Sequence, residues 1–336
     1  MSQPIEILAP AGGMESIYPA VRMGADAVYL GAEQFSARAG AQNFSRQELK
    51  EAVEYCHIRN VRVYLAVNTL LRDPELKTAL SLAEYAASLP VDGFIVQDVG
   101  FASLLREAAP KIRLHASTQM SLHTPSGAAA VQEAGMTRAV LAREMTAKEI
   151  RETRGAVSIE LESFVHGALC MSVSGKCYLS LYETNCSANR GACRQLCRRK
   201  YTVTDTETGA ALDIDGRYVL SPKDLCTVDF LDRFIGAGVR VLKIEGRARG
   251  AEYVKRVVEC YDEALRAIEA GTYTPALAAG LKERLATVFN RGFWEGYYAG
   301  RPVAEHSQHY GSAATRRKVY VGKVTNFYKR ISVAEV

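Results

Sequence analysis

Apolar and polar positions along the chain alternate between two spacings. Short apolar runs such as IEILAP and DAVYLGA are typical of buried strands, and the stretches between them repeat apolar residues every three or four positions, as amphipathic helices do. The first unit, from IEILAP through MESIYPAVRMG to DAVYLGA, is a predicted β-α-β unit. The same rhythm returns along most of the chain, so the scaffold is predicted to be of the α/β class.

Eight apolar runs are predicted as strands. They begin near Ile5, Ala27, Val61, Gly93, Ile112, Ala139, Val157 and Val239. Helical stretches separate them, for example Ser45 to Arg59, where Ser45 and Glu48 are predicted to form a capping box. Eight parallel strands alternating with helices favour a (β/α)8 barrel. An open doubly wound sheet is the alternative, and it is the weaker one because no glycine-rich fingerprint follows the first strand.

Polar residues follow the predicted strands, at the end where barrel enzymes place their active sites. Two sets recur at every second position and are predicted to share one face of their strands: His115, Ser117 and Gln119, and Lys243, Glu245 and Arg247. Such groups can simply satisfy one another inside a barrel. Taken together with His166, they indicate a polar barrel mouth.

Composition and charge exclude several classes of protein. With 48% hydrophobic and 24% charged residues, neither a disordered nor a fibrous chain is expected. No apolar run reaches the roughly 18 residues of a membrane span, and Met1 to Ala11 lacks the features of a signal peptide. We therefore predict a cytoplasmic protein without a membrane partner. In a reducing compartment, eight cysteines indicate metal binding or catalysis rather than disulfides. The net charge of +5 permits an anionic partner but does not require one.

Five of the cysteines fall in a stretch that interrupts the β/α alternation, the cysteine-rich loop at residues 164–201. They are Cys170, Cys177, Cys186, Cys193 and Cys197. Only Cys193 and Cys197 have the close spacing of a typical zinc site. The irregular spacing favours a 4Fe-4S cluster and leaves zinc open. Ordinary buried thiols are the other interpretation, which is preferred for Cys56 and Cys260 in predicted helices, while Cys226 stays ambiguous.

A run of cations overlaps the last cysteines: Arg190, Arg194, Arg198, Arg199 and Lys200. Such a run most often forms a solvated face, but beside a polar barrel mouth it is a candidate phosphate-binding surface. Tyr178, Tyr182 and Tyr201 stand nearby and are candidates for stacking on bases. Nucleic acid or another polyanion is therefore a candidate partner.

The pattern changes after residue 300. The stretch RRKVYVGKVTNFYKRISVAEV alternates like two strands around a polar turn, which is how a small β domain would begin. We predict a barrel over residues 1–300 and a linker with the start of a C-terminal β domain over 301–336. Because an isolated hairpin is marginally stable, the natural chain is expected to continue beyond Val336.

Several motifs together resemble the collagenase-like peptidase U32 family: LAPAGGMESIYPAVRMGADAVYLGA, FSARAGAQNFS, FVHGALCMSVSGKCYLS, SANRGACRQLCRRKY, SPKDL and LKIEGRARGAEYV. The resemblance runs over essentially the whole chain. The family carries a peptidase label, yet its better understood members are oxygen-independent or prephenate-linked hydroxylation proteins with a 4Fe-4S cluster. The resemblance implies Cys170, Cys177, Cys193 and Cys197 as cluster ligands, with Cys226 or Cys186 as competitors for a place.

The branches of that family differ in substrate. One makes 5-hydroxyuridine at the tRNA wobble position, another hydroxylates a ribosomal RNA cytidine, and a third acts in ubiquinone synthesis. The resemblance is nearest to the tRNA branch and implies an RNA-hydroxylating enzyme that uses an electron donor. It also implies tRNA or another RNA as the partner, and no DNA. The residues expected to orient the target or move protons are His115, His166, Lys243, Glu245 and Arg247. Arg38 and Asn43 are expected to bind an anionic co-substrate such as prephenate, and Arg190 and Arg194 to bind phosphates.

Two other classes of function are weighed against this one. A cysteine peptidase would use one thiol as nucleophile with His166 or His115 as base, but no recognised nucleophile motif surrounds any cysteine. A non-catalytic RNA-binding or cluster-carrying protein would bind tRNA with a steep salt dependence and modify nothing.

Overall fold

A closed parallel barrel organises the chain. The computed structural model describes residues 4–212, 218–300, 304–317, 319 and 322–336. The strands are β1 (Glu6–Pro10), β2 (Ala27–Leu30), β3 (Arg62–Val67), β4 (Gly93–Val96), β5 (Leu114–Ala116), β6 (Arg138–Val140), β7 (Glu160–Ala168), β8 (Val203–Thr204), β9 (Ala211–Leu212), β10 (Asp224–Cys226), β11 (Val241–Ile244), β12 (Phe293–Trp294), β13 (Asn326–Tyr328) and β14 (Val333–Glu335).

The helices cover the outside of the ring, except the seventh, which lies in the cysteine-rich loop. They are α1 (Met14–Arg22), α2 (Arg46–His57), α3 (Asp73–Ser88), α4 (Val99–Ala108), α5 (Pro125–Glu133), α6 (Ala147–Ala156), α7 (Leu179–Thr184), α8 (Leu231–Gly236), α9 (Ala251–Glu269) and α10 (Pro275–Leu285). The predicted capping box of α2 is present, because the hydroxyl of Ser45 accepts from the N–H of Glu48 at 3.3 Å and the Glu48 carboxylate accepts from the N–H of Ser45 at 2.9 Å. In the described part of the chain, no helix combines the length and apolarity that crossing a membrane requires.

Strand pairing closes the barrel. The strands β1 to β7 pair in sequence, all in parallel, and β11 pairs in parallel with both β1 and β7. The (β/α)8 prediction is therefore confirmed, and the open-sheet alternative is not. The connection from β7 to β11 departs from the β/α repeat, because it carries the cysteine-rich loop, the β8–β9 pair and β10, which runs antiparallel to β7.

Charges fill part of the barrel interior. The guanidinium of Arg138, at the start of β6, is fully buried and lies 2.9 Å from Glu6, 3.2 Å from Glu162 and 2.8 Å from Glu160. The ammonium of Lys243 binds the other oxygen of Glu162 at 2.5 Å. Since these partners come from β1, β6, β7 and β11, the network links strands that are far apart in the sequence.

Two predictions about the strand ends are wrong. Strand β5 ends at Ala116, because the hydroxyl of Ser117 accepts from the N–H of Gln119 at 3.2 Å and caps a short 3-10 turn. His115 and Gln119 therefore do not share a strand face.

The second predicted set, Lys243, Glu245 and Arg247, does not share a strand face either. Strand β11 ends at Ile244 after a register shift next to Lys243, so Glu245 and Arg247 lie beyond the strand and diverge from Lys243.

The segment after residue 303 returns to the barrel before the chain ends in a hairpin. His306 forms a β-bridge with Pro222, and the N–H of Ala313 donates to the carbonyl of Asn290 at 2.7 Å. Strands β13 and β14 pair antiparallel and are exposed. The predicted hairpin is confirmed, although residues 318, 320 and 321 of the alternating stretch lie outside the described residues; the larger β domain stays a prediction.

Candidate functional site

A cavity of about 680 Å³ opens at the C-terminal ends of the barrel strands. Residues that follow β2, β5, β6, β7 and β11 line it, and the cysteine-rich loop contributes the largest share of its wall. Four cysteines line this cavity: Cys170, Cys177, Cys193 and Cys197. They are the four that the family resemblance implied as ligands.

The remaining cysteines lie elsewhere. Cys56 and Cys260 are buried in α2 and α9, as predicted for core thiols. Cys226 is buried in β10, where its neighbour Leu225 faces the cavity instead, and burial raises the pKa of the Cys226 thiol to about 11. Cys186 lies in the cysteine-rich loop outside the cavity lining, and its sulfur lies 3.4 Å from a guanidinium nitrogen of Arg194.

The four cavity thiols are close enough to influence one another. Burial raises the pKa of the Cys197 thiol, and the neighbouring Arg198 opposes that rise. Negative charge on Cys170, Cys193 and Cys177 raises the pKa of Cys197 further. Four thiolates in such a group repel one another, so the arrangement favours either protonated thiols or a positively charged group held among them.

Four cysteine side chains around one cavity are a donor set that suits either a zinc ion or an iron-sulfur cluster. Within the described ranges, no three cysteine, histidine, aspartate or glutamate side chains converge closely enough to hold one metal ion. A tetrahedral zinc site needs its sulfurs at about 2.3 Å from one point, whereas a 4Fe-4S cluster takes each thiolate on a different iron. The N–H of Gln195 also donates to the sulfur of Cys193 at 3.4 Å, a contact of the kind that tunes iron-sulfur potentials. The four cysteines are the residues that would hold a cluster.

Close backbone packing fixes the cysteine-rich loop against the loop that follows β2. Gly191 has a φ of +91°, and a Cβ atom there would lie 2.3 Å from the carbonyl oxygen of Ser36. The carbonyl of Gly191 accepts from the N–H of Ala39 at 3.1 Å. Only glycine satisfies both the conformation and the close approach, so the position of Cys193, two residues later, depends on it.

Arginines dominate the charges of the cavity wall. Seven arginines and one carboxylate line it: Arg38, Arg143, Arg194, Arg198, Arg199, Arg249, Arg291 and Glu245. Some of this charge is used internally, because Arg38 donates two hydrogen bonds of 3.2 Å to Glu245, and Arg291 lies 3.2 Å from Asp224. The surplus of guanidinium groups suits an anionic ligand with planar oxyanions.

The predicted proton-handling residues divide into those that reach the cavity and those that do not. His166 and Glu245 line it. Burial lowers the pKa of His166 to about 3, so this imidazole is neutral at neutral pH, and its Nδ1 lies 3.5 Å from the hydroxyl of Tyr261. Glu245 is 17% exposed and is held by Arg38. A neutral imidazole and a fixed carboxylate can both accept a hydrogen bond from a bound base.

Arg247 and Asn43 lie behind the cavity wall. The guanidinium of Arg247 donates to the hydroxyl of Ser36 at 2.6 Å and to the side-chain oxygen of Asn43. The amide nitrogen of Asn43 in turn donates to the carbonyls of Arg38 and Ala41 at 3.1 Å each. These two predicted site residues therefore shape the loop that carries Arg38.

The predicted phosphate-binding cations are also divided. Arg190 pairs with Glu75 on α3 and donates to the carbonyl of Leu70 at 2.7 Å, away from the cavity. Arg194 lines the cavity and approaches Cys186. Arg198 is turned inward and donates to the carbonyl of Pro222 at 2.8 Å. The run is therefore not one continuous cationic face.

Sequence reasoning gave no role to Arg249 and Arg291, which both line the cavity. Burial lowers the pKa of Arg249, and Arg291 lowers it further because the two cations are neighbours. Their only signal in the sequence was a position directly beside a glycine in a polar stretch, as in RARG and NRGFW.

His115 and Lys243 lie in the barrel interior, outside the lining of the cavity. His115 is fully buried and packs edge-on against the ring of Tyr64, with centroids 4.6 Å apart. Among the described residues, neither of its ring nitrogens has a hydrogen-bond partner. Burial lowers the pKa of His115 well below its usual value, and the nearby charges of Arg138 and Lys243 lower it further. His115 is therefore a neutral core residue.

This burial makes protein stability depend on pH. Below about pH 6.5 the unfolded chain protonates His115 while the folded chain does not, so the free energy of unfolding falls as the pH falls. Lowering the pH from 7.5 to 5 should reduce the free energy of unfolding of both proteins. We expect the reduction to be about 2 kcal/mol smaller for His115→Leu than for the wild type, as measured by urea denaturation at both pH values. An equal loss in the two proteins would contradict the assignment.

The chain is similar to proteins of one known family. A family model described as peptidase family U32 matches residues 12–308. The chain belongs to peptidase family U32. A protein named collagenase from Porphyromonas gingivalis is 44% identical over 344 residues, which cover 98% of this chain and 82% of that protein.

Other U32 relatives are named for RNA. The tRNA hydroxylation protein P1 of Bacillus subtilis is 35% identical over 327 residues, covering 96% of this chain and 77% of that protein. A 23S rRNA 5-hydroxycytidine synthase of Escherichia coli is 40% identical over 267 residues, covering 80% of this chain and 40% of that protein. The resemblance stated from the motifs is confirmed, and the U32 family includes RNA-hydroxylating enzymes.

Proposed function

We propose that this U32 protein hydroxylates RNA, and that its substrate is a tRNA uridine that becomes 5-hydroxyuridine at the wobble position. The observation that carries the proposal is one cavity, at the mouth of a (β/α)8 barrel, lined by four cysteines and seven arginines. Relatives of this chain are named for tRNA and for rRNA hydroxylation. Thiolates are the ligands of redox clusters, and arginines bind phosphate and carboxylate groups.

The four cavity cysteines would hold a 4Fe-4S cluster, which supplies electron transfer when it is bound. The chain's own residues would bind and orient the substrate beside it. Arg194 and Arg199, on the rim, are placed to contact phosphates. Glu245, fixed by Arg38, is placed to accept a hydrogen bond from the N–H of a base, and neutral His166 offers a second polar group in the wall.

The outer surface of the cysteine-rich loop suits neighbouring nucleotides. Helix α7 presents Leu179 and Ser180 to the cavity, whereas Tyr178 and Tyr182, four residues apart, are 65% and 87% exposed. Exposed aromatic rings next to cations are the usual platform for unstacked bases. A base inserted in the cavity would therefore leave its flanking bases beside these rings.

Two further partners belong to the proposal. Replacing the C5–H of uridine by C5–OH adds one oxygen atom and removes two electrons from the base, so the reaction requires an oxygen source and an electron acceptor. Prephenate is the candidate co-substrate because its carboxylates would match the surplus arginines of the wall. An electron donor that reduces the cluster is the other expected partner. Ribosomal RNA cytidine and a ubiquinone precursor are the alternative targets.

A thiol peptidase is the second candidate function, and one observation favours it. Arg194 lowers the pKa of the Cys186 thiol by hydrogen bonding to its sulfur, and a low-pKa accessible thiol is what a nucleophile requires. Relatives named collagenase point the same way.

Mass spectrometry of RNA nucleosides tests the proposal. A strain lacking the protein should lose 5-hydroxyuridine from its tRNA, and the intact chain should restore it. Loss of 5-hydroxycytidine from ribosomal RNA instead would assign the rRNA target. Unchanged nucleosides, together with Cys186-dependent cleavage of gelatin by the purified protein, would favour the peptidase.

A further inference from the structure

Arg143 on the barrel wall is a buried arginine for which the described residues provide no carboxylate partner. Arg143 follows β6 and lines the cavity, and it is only 8% exposed. Among the described residues, no carboxylate lies within ion-pair distance of its guanidinium, and its buried Nε has no hydrogen-bond partner. A buried charge without a partner is unfavourable, so a residue of this kind is expected to have a ligand.

The contrast with Arg138 shows that the fold compensates a buried arginine where the charge has only a structural role. Arg138 lies five residues earlier, at the other end of the same strand, and three carboxylates surround it. Arg143 instead lines the cavity. The missing negative charge is therefore expected from a bound molecule.

A second unpartnered polar group lies in the same wall. Gln119, in the turn after β5, is 8% exposed, and its side-chain oxygen has no hydrogen-bond partner in the part of the chain that the structure describes. Gly175 of the cysteine-rich loop covers it: the φ of Gly175 is +72°, and a Cβ atom there would lie 3.1 Å from that oxygen. The cysteine-rich loop therefore packs directly against the Gln119 side chain.

We propose that Arg143 and Gln119 form an oxyanion-binding subsite at the floor of the cavity. The planar guanidinium would donate two parallel hydrogen bonds to a carboxylate or phosphate group, and the Gln119 amide would bind an adjacent polar atom of the same ligand. The source of the oxyanion is either a small carboxylate co-substrate or a phosphate of the bound nucleotide. The subsite deepens the proposed function and rests on it for the identity of its ligand, but its existence can be tested without the hydroxylation reaction.

The test is anion binding by the whole chain, purified anaerobically. Calorimetry measures the affinity, and thermal unfolding measures the stabilisation that the anion produces. The probes are prephenate and inorganic phosphate, titrated separately. The variants are Arg143→Met, Arg143→Lys and Arg151→Met, the last being a matched loss of charge on the exposed face of α6. We expect Arg143→Met to weaken binding of the preferred probe by roughly 10- to 100-fold, Arg143→Lys to bind with intermediate affinity, and Arg151→Met to behave like the wild type.

Thermal unfolding separates a binding role from a structural one. Without added anion, Arg143→Met should unfold at the same temperature as the wild type or higher, because an uncompensated buried charge has been removed. The preferred anion should raise the unfolding temperature of the wild type and of Arg151→Met, but not that of Arg143→Met. Preference for prephenate assigns the subsite to a carboxylate co-substrate, and preference for phosphate assigns it to the nucleotide.

Three results would overturn the proposal: wild-type protein that binds neither probe, an Arg143→Met variant that binds as tightly as the wild type, or an Arg143→Met variant that unfolds at a clearly lower temperature. Failure of the proposed function looks different. Arg143-dependent anion binding in a protein that leaves every RNA nucleoside unchanged would retain the subsite and reject RNA hydroxylation.

Discussion

Replacing Cys170 by alanine is expected to lower the iron content of anaerobically purified protein by about ten-fold or more. Cys170 lines the same cavity as Cys177, Cys193 and Cys197. A 4Fe-4S cluster is held by four thiolates, so the substitution would leave one iron without its protein ligand. Iron and acid-labile sulfide per chain, with the visible absorption of the cluster, provide the measurement. The same result is expected for each of the other three cavity cysteines.

Cys186→Ala is the matched control, because Cys186 belongs to the same loop but lies outside the cavity lining. Its iron content should equal that of the wild type. Iron that disappears with Cys186→Ala and persists with Cys170→Ala would contradict the assignment of the ligands.

Arg138→Met is expected to lower the free energy of unfolding by about 3–5 kcal/mol. The substitution removes a fully buried cation and leaves Glu6 and Glu162, both buried, with less positive charge around them. Burial already raises the pKa of Glu6, while Arg138 opposes that rise. The buried carboxylates of the variant should therefore take up protons more readily, and the variant should be less stable. Urea denaturation at neutral pH measures the loss of stability.

Arg62→Met is the control for this prediction. Arg62 also pairs with Glu6, at 2.6 Å, but its side chain is 40% exposed, so water screens the pair and the expected loss is about 1 kcal/mol or less. Equal losses for the two variants would show that burial does not set the strength of this network. A triple variant that also replaces Glu6 and Glu162 by glutamine should recover part of the stability lost in Arg138→Met.

The barrel was predictable because its signal is local and repeated. Each apolar run and the helical stretch after it can be recognised within about 20 residues, and the eight copies support one another. The strand ends were less predictable. The turn after Ala116 depends on the hydroxyl of Ser117, which accepts a hydrogen bond from the N–H of Gln119. An alternating polar pattern in the sequence looks the same whether the chain continues as a strand or turns.

The choice among the cysteines needed tertiary structure. Cys226 follows a polar loop much as the cavity cysteines do, and only the antiparallel pairing of β10 with β7 turns Cys226 into the core and Leu225 toward the cavity. The family resemblance selected the four cavity cysteines where spacing alone could not. Their role as cluster ligands remains a prediction.

The roles of the arginines also depended on partners far away in the sequence. Arg38 was expected to bind an anionic co-substrate, yet its guanidinium contacts Glu245, 207 residues later. Arg138 meets Glu6 across 132 residues. Nothing local distinguishes these paired arginines from Arg143, which has no carboxylate within ion-pair distance among the described residues. Charge compensation between strands is set by the closed ring, and a sequence pattern does not report it.

We propose that the four-cysteine cavity hydroxylates a tRNA uridine. The most direct test is mass spectrometry of tRNA nucleosides from a strain that lacks the protein and carries the wild type, Cys170→Ala or Cys186→Ala on a plasmid. The account predicts 5-hydroxyuridine with the wild type and Cys186→Ala, and none with Cys170→Ala at equal protein levels. Restoration by Cys170→Ala, or no restoration by the wild type, would contradict it.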